Sequence, residues 1–168
     1  MLEKLNCHNT SLTELDLSRN TKLRSLTCPN NKLTTLVVNA NLEGIFCSGN
    51  HLPLSNLFVF SEIIDNVLSK HLGPQFLIPQ TVNTGSEIDF SDQSIFKGMY
   101  TQFEVTKDGY YQSGTYNKGI PAFPSDYILI DGKIKFNRPG KYRVIMTNEA
   151  IVSRFDFAAV VYAEINIL

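Results

Sequence analysis

The chain has 168 residues and carries 15 Lys or Arg against 16 Asp or Glu, for a formal net charge of −1. That balance supplies no field to steer it onto nucleic acid or an anionic membrane, and 43% hydrophobic with 18% charged residues excludes global disorder. No apolar run approaches the roughly 20 residues needed to span a bilayer. The N-terminus, MLEKLNCHNT, lacks the basic-then-apolar order of a signal peptide. The expectation is a cytosolic protein, or a piece of a longer protein whose export signal lies upstream.

Composition divides the chain. Residues 1–57 hold most of the leucines and all three cysteines, whereas every aromatic except Phe46 lies beyond them. This shift predicts two separate cores, residues 1–57 and 75–168, with a helical linker over 58–74. In the first part Leu2-x-x-Leu5-x-Cys7 recurs as Leu23-x-x-Leu26-x-Cys28 and as Leu42-x-x-Ile45-x-Cys47, shifts of 21 and 19 residues. Leu12-x-x-Leu15-x-Leu17 and Leu33-x-x-Leu36-x-Val38 alternate with these, and Asn20, Asn31, Asn41 and Asn50 follow the motifs. The last two apolar residues of each triplet are two apart, so both point to one face of a short strand. Coils of this kind stack about 4.8 Å apart with apolar residues inside, and the Asn side chains bond free backbone groups at the bends.

Two triplets per coil predict inward strands on both sides of a flattened solenoid. About three coils are usually needed for stability. The first coil begins inside its motif, which predicts further coils upstream, another cover, or self-association through residues 1–20. Cys7, Cys28 and Cys47 occupy one position in successive coils, with spacing unlike a zinc-ligand set and with side chains too parallel to converge as a disulfide. A buried column of reduced, metal-free thiols is expected. Outward positions form the columns Lys4/Ser25/Gly44, Asn6/Thr27/Phe46 and His8/Pro29/Ser48 on one face. The other face carries Glu14/Thr35, Asp16/Val37 and Ser18/Asn39. Phe46, Val37, Thr27 and Asn6 are therefore the candidate protein-binding residues. The competing expectation is that the junction helix or the sandwich covers Phe46.

Leu57, Phe60, Ile64, Val67 and Leu68 recur at helical spacing and predict a helix within residues 55–70. Ser55 is its expected N-cap and Gly73-Pro74 its stop, and the helix is expected to close the end of the coils. Alternating segments then predict strands over residues 75–78, 87–90, 101–106, 110–116, 127–130, 133–136, 141–147 and 155–167. Asp131-Gly132 reads as a hairpin turn. Short strands without a strong helix indicate a β-sandwich. The expected fold is mainly β: a short solenoid, a helix and a sandwich.

The stretch LTELDLSRNTKLRSLTCPNNKLTTL resembles the Cys-bearing leucine-rich repeats of secreted and surface proteins of Gram-negative gut-type bacteria. Phe136-x-x-Pro139-Gly140-x-Tyr142-x-Val144 resembles the E–F corner of immunoglobulin-like domains, where a Tyr bonds to backbone. The order of parts is similar to that of internalins, whose arrays are longer. The resemblance implies a leucine-rich-repeat solenoid followed by an immunoglobulin-like sandwich, at an extracytoplasmic location. It implies a non-enzymatic adhesion or protein-binding module with a protein ligand.

Residues with catalytic chemistry are sparse. His8, His51 and His71 do not stand beside Cys or carboxylate at ligand spacing, and Gly-x-Ser-x-Gly and P-loop patterns are absent. No catalytic residue, metal or cofactor is expected. Asp89, Asp92 and Asp126 sit at turns and read as backbone partners rather than calcium ligands. Tyr110, Tyr111 and Tyr116 are candidate sugar-binding residues, which supports an alternative: a carbohydrate-binding or enzyme-accessory module.

Overall fold

A computed structural model describes residues 2–168 apart from 109, 113, 114 and 118, and gives backbone alone for 110–112, 115–117 and Asp156. The fold is mainly β. Three-residue strands open the chain: β1 (Lys4–Asn6), β2 (Glu14–Asp16), β3 (Ser25–Thr27), β4 (Thr35–Val37) and β5 (Gly44–Phe46). A helix, α1 (Leu54–Ile63), and a two-residue strand, β6 (Lys70–His71), follow. Strands β1, β3, β5 and β6 form one parallel ladder in that order, and β2 pairs in parallel with β4. Lys4 pairs with Ser25 and Ser25 with Gly44, so the ladder keeps the 21- and 19-residue shifts of the triplets. Leu5, Leu26 and Ile45 stack inward on it.

A hydrogen-bonded ladder of amides runs beside the strands. Asn31 Nδ2 donates to the carbonyls of Cys7 (2.8 Å) and Cys28 (3.2 Å), and its Oδ1 accepts from Thr10 N and Leu12 N. Asn50 Nδ2 donates one turn further on, to Cys28 O (3.0 Å) and Cys47 O (2.9 Å), and its Oδ1 accepts from Leu33 N. Gln75 makes the third rung. Its Nε2 donates to the carbonyls of Cys47 and Leu72, and its Oε1 accepts from Asn50 N and Leu52 N. Each buried amide satisfies backbone groups that the bends leave without strand partners. The Asn series of the sequence is thereby divided: Asn31 and Asn50 are buried rungs, whereas Asn41 is exposed and the buried Asn39 serves the opposite side through Asn20 O and Leu23 O.

The junction departs from expectation. The helix ends at Ile63, with a 3-10 turn at Val67–Ser69, and Ser55 does not cap it. Pro53 is the N-cap residue and makes no side-chain bond; Leu54 N donates instead to Gln93 Oε1 (2.9 Å), a group 39 residues away. Strand β6 pairs with β5 at the end of the ladder, with Ile45 opposite Lys70 and Phe46 opposite His71, and Leu54, Leu57 and Phe60 of the helix join the same buried cluster. No triplet announces this strand because Lys70 stands where Leu26 and Ile45 stand. Lys70 is only 5% exposed; its stem follows the core and Nζ reaches Ser61 O at 3.4 Å.

Beyond the junction come β7 (Gln75–Phe76), β8 (Gln80–Val82), β9 (Glu87–Asp89), β10 (Ile95–Phe96) and β11 (Met99–Tyr100). They are followed by β12 (Gln102–Lys107), β13 (Tyr110–Gln112), β14 (Thr115–Asn117) and β15 (Ile120–Pro121). The chain ends with β16 (Tyr127–Ile130), β17 (Lys133–Phe136), β18 (Gly140–Val152) and β19 (Ala158–Ile167). The large sheet has the order β15-β12-β18-β19-β7, with β8 also on β19; a second sheet has the order β16-β17-β9. The sheets meet where Phe136 packs on Tyr142, with ring centroids 4.5 Å apart. Tyr142 Oη donates to Arg138 O at 3.2 Å and ties down the corner before β18. Asp131 (φ 49°) and Gly132 (φ 79°) make the left-handed pair that a two-residue hairpin turn needs.

Two strand expectations are corrected. The single strand expected over 110–116 is replaced by two paired strands, Tyr110–Gln112 (β13) and Thr115–Asn117 (β14). The final strand starts at Ala158 rather than 155, because Arg154–Asp156 forms a 3-10 turn. Strands β7 and β8 run parallel to β19, a pairing across the chain that alternation cannot reveal.

The two parts of the chain share buried contacts. Leu26, Leu52, Leu57, Phe60 and Leu72 belong to one buried cluster with Met146, Ile151 and Val161. Residues 70–77 explain it: β6 completes the short-strand ladder on β5, and β7 forms an edge of the large sheet on β19. Between them a Cβ on Gly73 would lie 3.0 Å from Val160 N and 3.1 Å from its O, so the backbones approach too closely for a side chain.

Candidate functional site

The outward residues of the four-stranded ladder line up. Asn6, Thr27, Phe46 and His71 are consecutive register partners across β1, β3, β5 and β6. The structure therefore brings three of the four candidate protein-binding residues into one row and adds His71. Val37 is not among them: it pairs with Asp16 on the β2–β4 ladder. Phe46 is half-buried, its ring edge-on to His71 with centroids 6.1 Å apart.

The two ladders differ in charge. Outward positions of β1, β3, β5 and β6 include Lys4 and no carboxylate, whereas those of β2 and β4 include Glu14 and Asp16 and no cation. Hydrogen bonds from Ser18 hold the Asp16 carboxyl below its ordinary range.

The row runs into a groove of about 390 Å³ between β6 and the Arg154–Asp156 turn that leads into β19. Phe155 and Phe157 flank it, 58% and 71% exposed. The Arg154 guanidinium lies 4.6 Å from the Phe155 ring centroid. Phe155 itself has φ 60° and ψ 32°, a left-handed backbone that costs a bulky residue about 1–3 kcal/mol. At the groove floor His71 is pushed towards its neutral form by burial and by the charge of Arg154. Sequence reasoning missed this site because Phe155 and Phe157 alternate as a strand would. The only signal was two aromatics beside a charge.

The other sequence candidates fall elsewhere. Tyr111 pairs with Tyr116 across β13 and β14, and Tyr110 with Asn117, but the side chains of all three tyrosines lie outside the described residues. Cys28 and Cys47 are buried as expected, whereas Cys7 is only half-buried. Burial pushes Cys28 up to about 12 and Cys47 well above 9.0, so neither offers a thiolate nucleophile. Asp89 accepts from Ser91 N (2.9 Å), and bonds from Ser91 and then Lys133 hold it down at about 2. Asp126 accepts from Phe123 N (3.3 Å) and lies 3.5 Å from Arg138 Nε. His8 Nδ1 lies 2.7 Å from Asn6 Oδ1, and His51 Nδ1 bonds to Phe76 O. Among the described residues no three His, Cys, Asp or Glu gather as a metal site, and no helix is long and apolar enough to cross a membrane. No protein-family model matches the chain, and no curated protein matches it in sequence.

Proposed function

We propose that the protein is a non-enzymatic protein-binding module. In this reading residues 1–57 are the end of a leucine-rich-repeat array, and residues 75–168 an immunoglobulin-like sandwich fused to it through the shared segment 70–77. The outward face of β1, β3, β5 and β6 is the binding face. The observation that carries the reading is the row Asn6–Thr27–Phe46–His71, in which a half-exposed aromatic sits among polar residues on a rigid ladder. Such an anchor with a polar rim suits a protein interface. The extracytoplasmic location rests on the resemblance of the repeats.

A photo-crosslinking residue at Thr27, with a second variant at Thr35 on the opposite ladder, tests this against surface proteins of the source cells. Adducts are expected from Thr27, lost on Phe46→Glu, and not from Thr35. Equal adducts from both positions would remove the face from consideration.

We propose also that the first turn receives a neighbour. Leu2 is 41% exposed, and Leu5, Cys7, Leu12 and Leu15 are half-buried where their counterparts Leu26, Cys28, Leu33 and Leu36 are buried. A further coil, or a second copy in its place, would cover this edge.

A further inference from the structure

We propose that the groove between β6 and the Arg154–Asp156 turn is a docking slot for an acidic, extended segment of a partner protein that carries an apolar anchor residue. The inference rests on the reading of the adjoining ladder as the binding face, and names the chemistry of the partner there. Three observations converge on it.

The first is the anchor surface. Phe155 and Phe157 are largely exposed, and both line the groove together with Tyr162, whose ring stacks on Phe76 at 5.4 Å. Aromatic walls of this kind take an aliphatic or aromatic side chain and exclude water around it.

The second is charge. Arg154 stands over Phe155 at the groove mouth; Lys4 lies at the far edge of the ladder on β1, and the outward strand positions between them carry no carboxylate. The side chain of Asp156 lies outside the described residues. A carboxylate in the partner meets a guanidinium already desolvated on one side by an aromatic ring, and charged complementarity sets its orientation. The acidic ladder of Glu14 and Asp16 on the opposite side disfavours the same partner there.

The third is continuity. His71 belongs both to the row of outward ladder residues and to the groove lining, so a segment lying along the row leads into the groove. The left-handed backbone of Phe155 keeps an aromatic where Asn or Gly would be less strained, which fits a ring retained for contact rather than for stability.

Fluorescence anisotropy on the full chain tests the proposal with three labelled probes: an alternating Glu/Phe peptide, its Lys/Phe counterpart, and an oligogalacturonate. The Glu/Phe peptide is expected to bind, and to weaken as salt is added. Arg154→Glu, and separately Phe157→Ala, are expected to weaken it about tenfold. Phe155→Asn is expected to weaken binding while the melting temperature holds or rises, which a purely structural role for Phe155 would not produce. Equal binding of the two peptides, indifference to all three substitutions, or binding of the oligogalacturonate alone would overturn the proposal; the last would make the groove a site for acidic sugars. Crosslinks from Thr27 with no effect of the groove substitutions would sink this inference and leave the wider reading of the face standing. Peptide binding in the groove without Thr27 adducts would do the reverse.

Discussion

Asn50 shows how much one side chain can hold. It joins Cys28 O, Cys47 O and Leu33 N, and all of these lie in the buried interior. Asn50→Ala orphans these groups together and is expected to cost about 3 kcal/mol or more. Asn41→Ala, at an exposed position, should stay within about 0.5 kcal/mol. Urea titration of the two variants checks the contrast, and similar losses would mean the amide ladder is not where the stability lies. The thiols give a pH test. Cys28 is raised from 9.0 to about 12 by burial first and by Cys7 second, so the folded state prefers the protonated thiol. Its contribution is complete below the unfolded value near 9 and is lost as pH rises towards 12. Relative to Cys28→Val, the native chain should therefore lose about 2 kcal/mol between about pH 8 and about pH 10.5. A gap unchanged with pH would mean Cys28 is solvated.

At the scale of elements, three-residue strands are too short to hold themselves, and stacking must supply what length does not. Leu26 has a neighbouring turn on each side and no exposed surface. Leu26→Ala should cost about 2–5 kcal/mol, whereas Thr35→Ala, outward on β4, should cost about 0.5 kcal/mol. Comparable losses in a denaturant series would show the inward register to be wrong. The corner before β18 is a smaller device. Tyr142→Phe removes the bond to Arg138 O but keeps the ring on Phe136, so a loss of about 0.5–1.5 kcal/mol is expected.

At the scale of the molecule, segment 70–77 should make unfolding a single event. All cysteines lie in residues 1–57 and all tyrosines beyond them, so thiol exposure and tyrosine signal report on different halves. The two transitions are expected to coincide in urea, and Gly73→Val, which drives a side chain into the Val160 backbone, should lower both together. Two separated midpoints would mean that the halves unfold independently. Within that unit the first turn should exchange its amides fastest, since Leu5, Leu12 and Leu15 are covered from one side only. Light scattering over a concentration series then shows whether that edge pairs with a second copy.

The inward positions of the first three turns were legible from the residues alone, because strand alternation is a local property and the Leu and Cys triplets repeat it. So were the Asp131-Gly132 turn and the Tyr142 corner, each specified within a few residues. What tertiary structure decided involves groups far apart in the chain. Lys70 enters an apolar column because its stem can lie in the core while Nζ reaches Ser61 O. Gln75, and not an Asn, makes the last rung, bonding Cys47 O and Leu72 O from the start of β7. Gln93 caps a helix 39 residues back. The groove arises only once Arg154–Asp156 turns and β6 lies beside it, and neither a left-handed Phe155 nor its neighbour His71 has any signature in the local pattern. Local alternation sets which way a side chain points; which partner it meets depends on where the rest of the chain has come to lie.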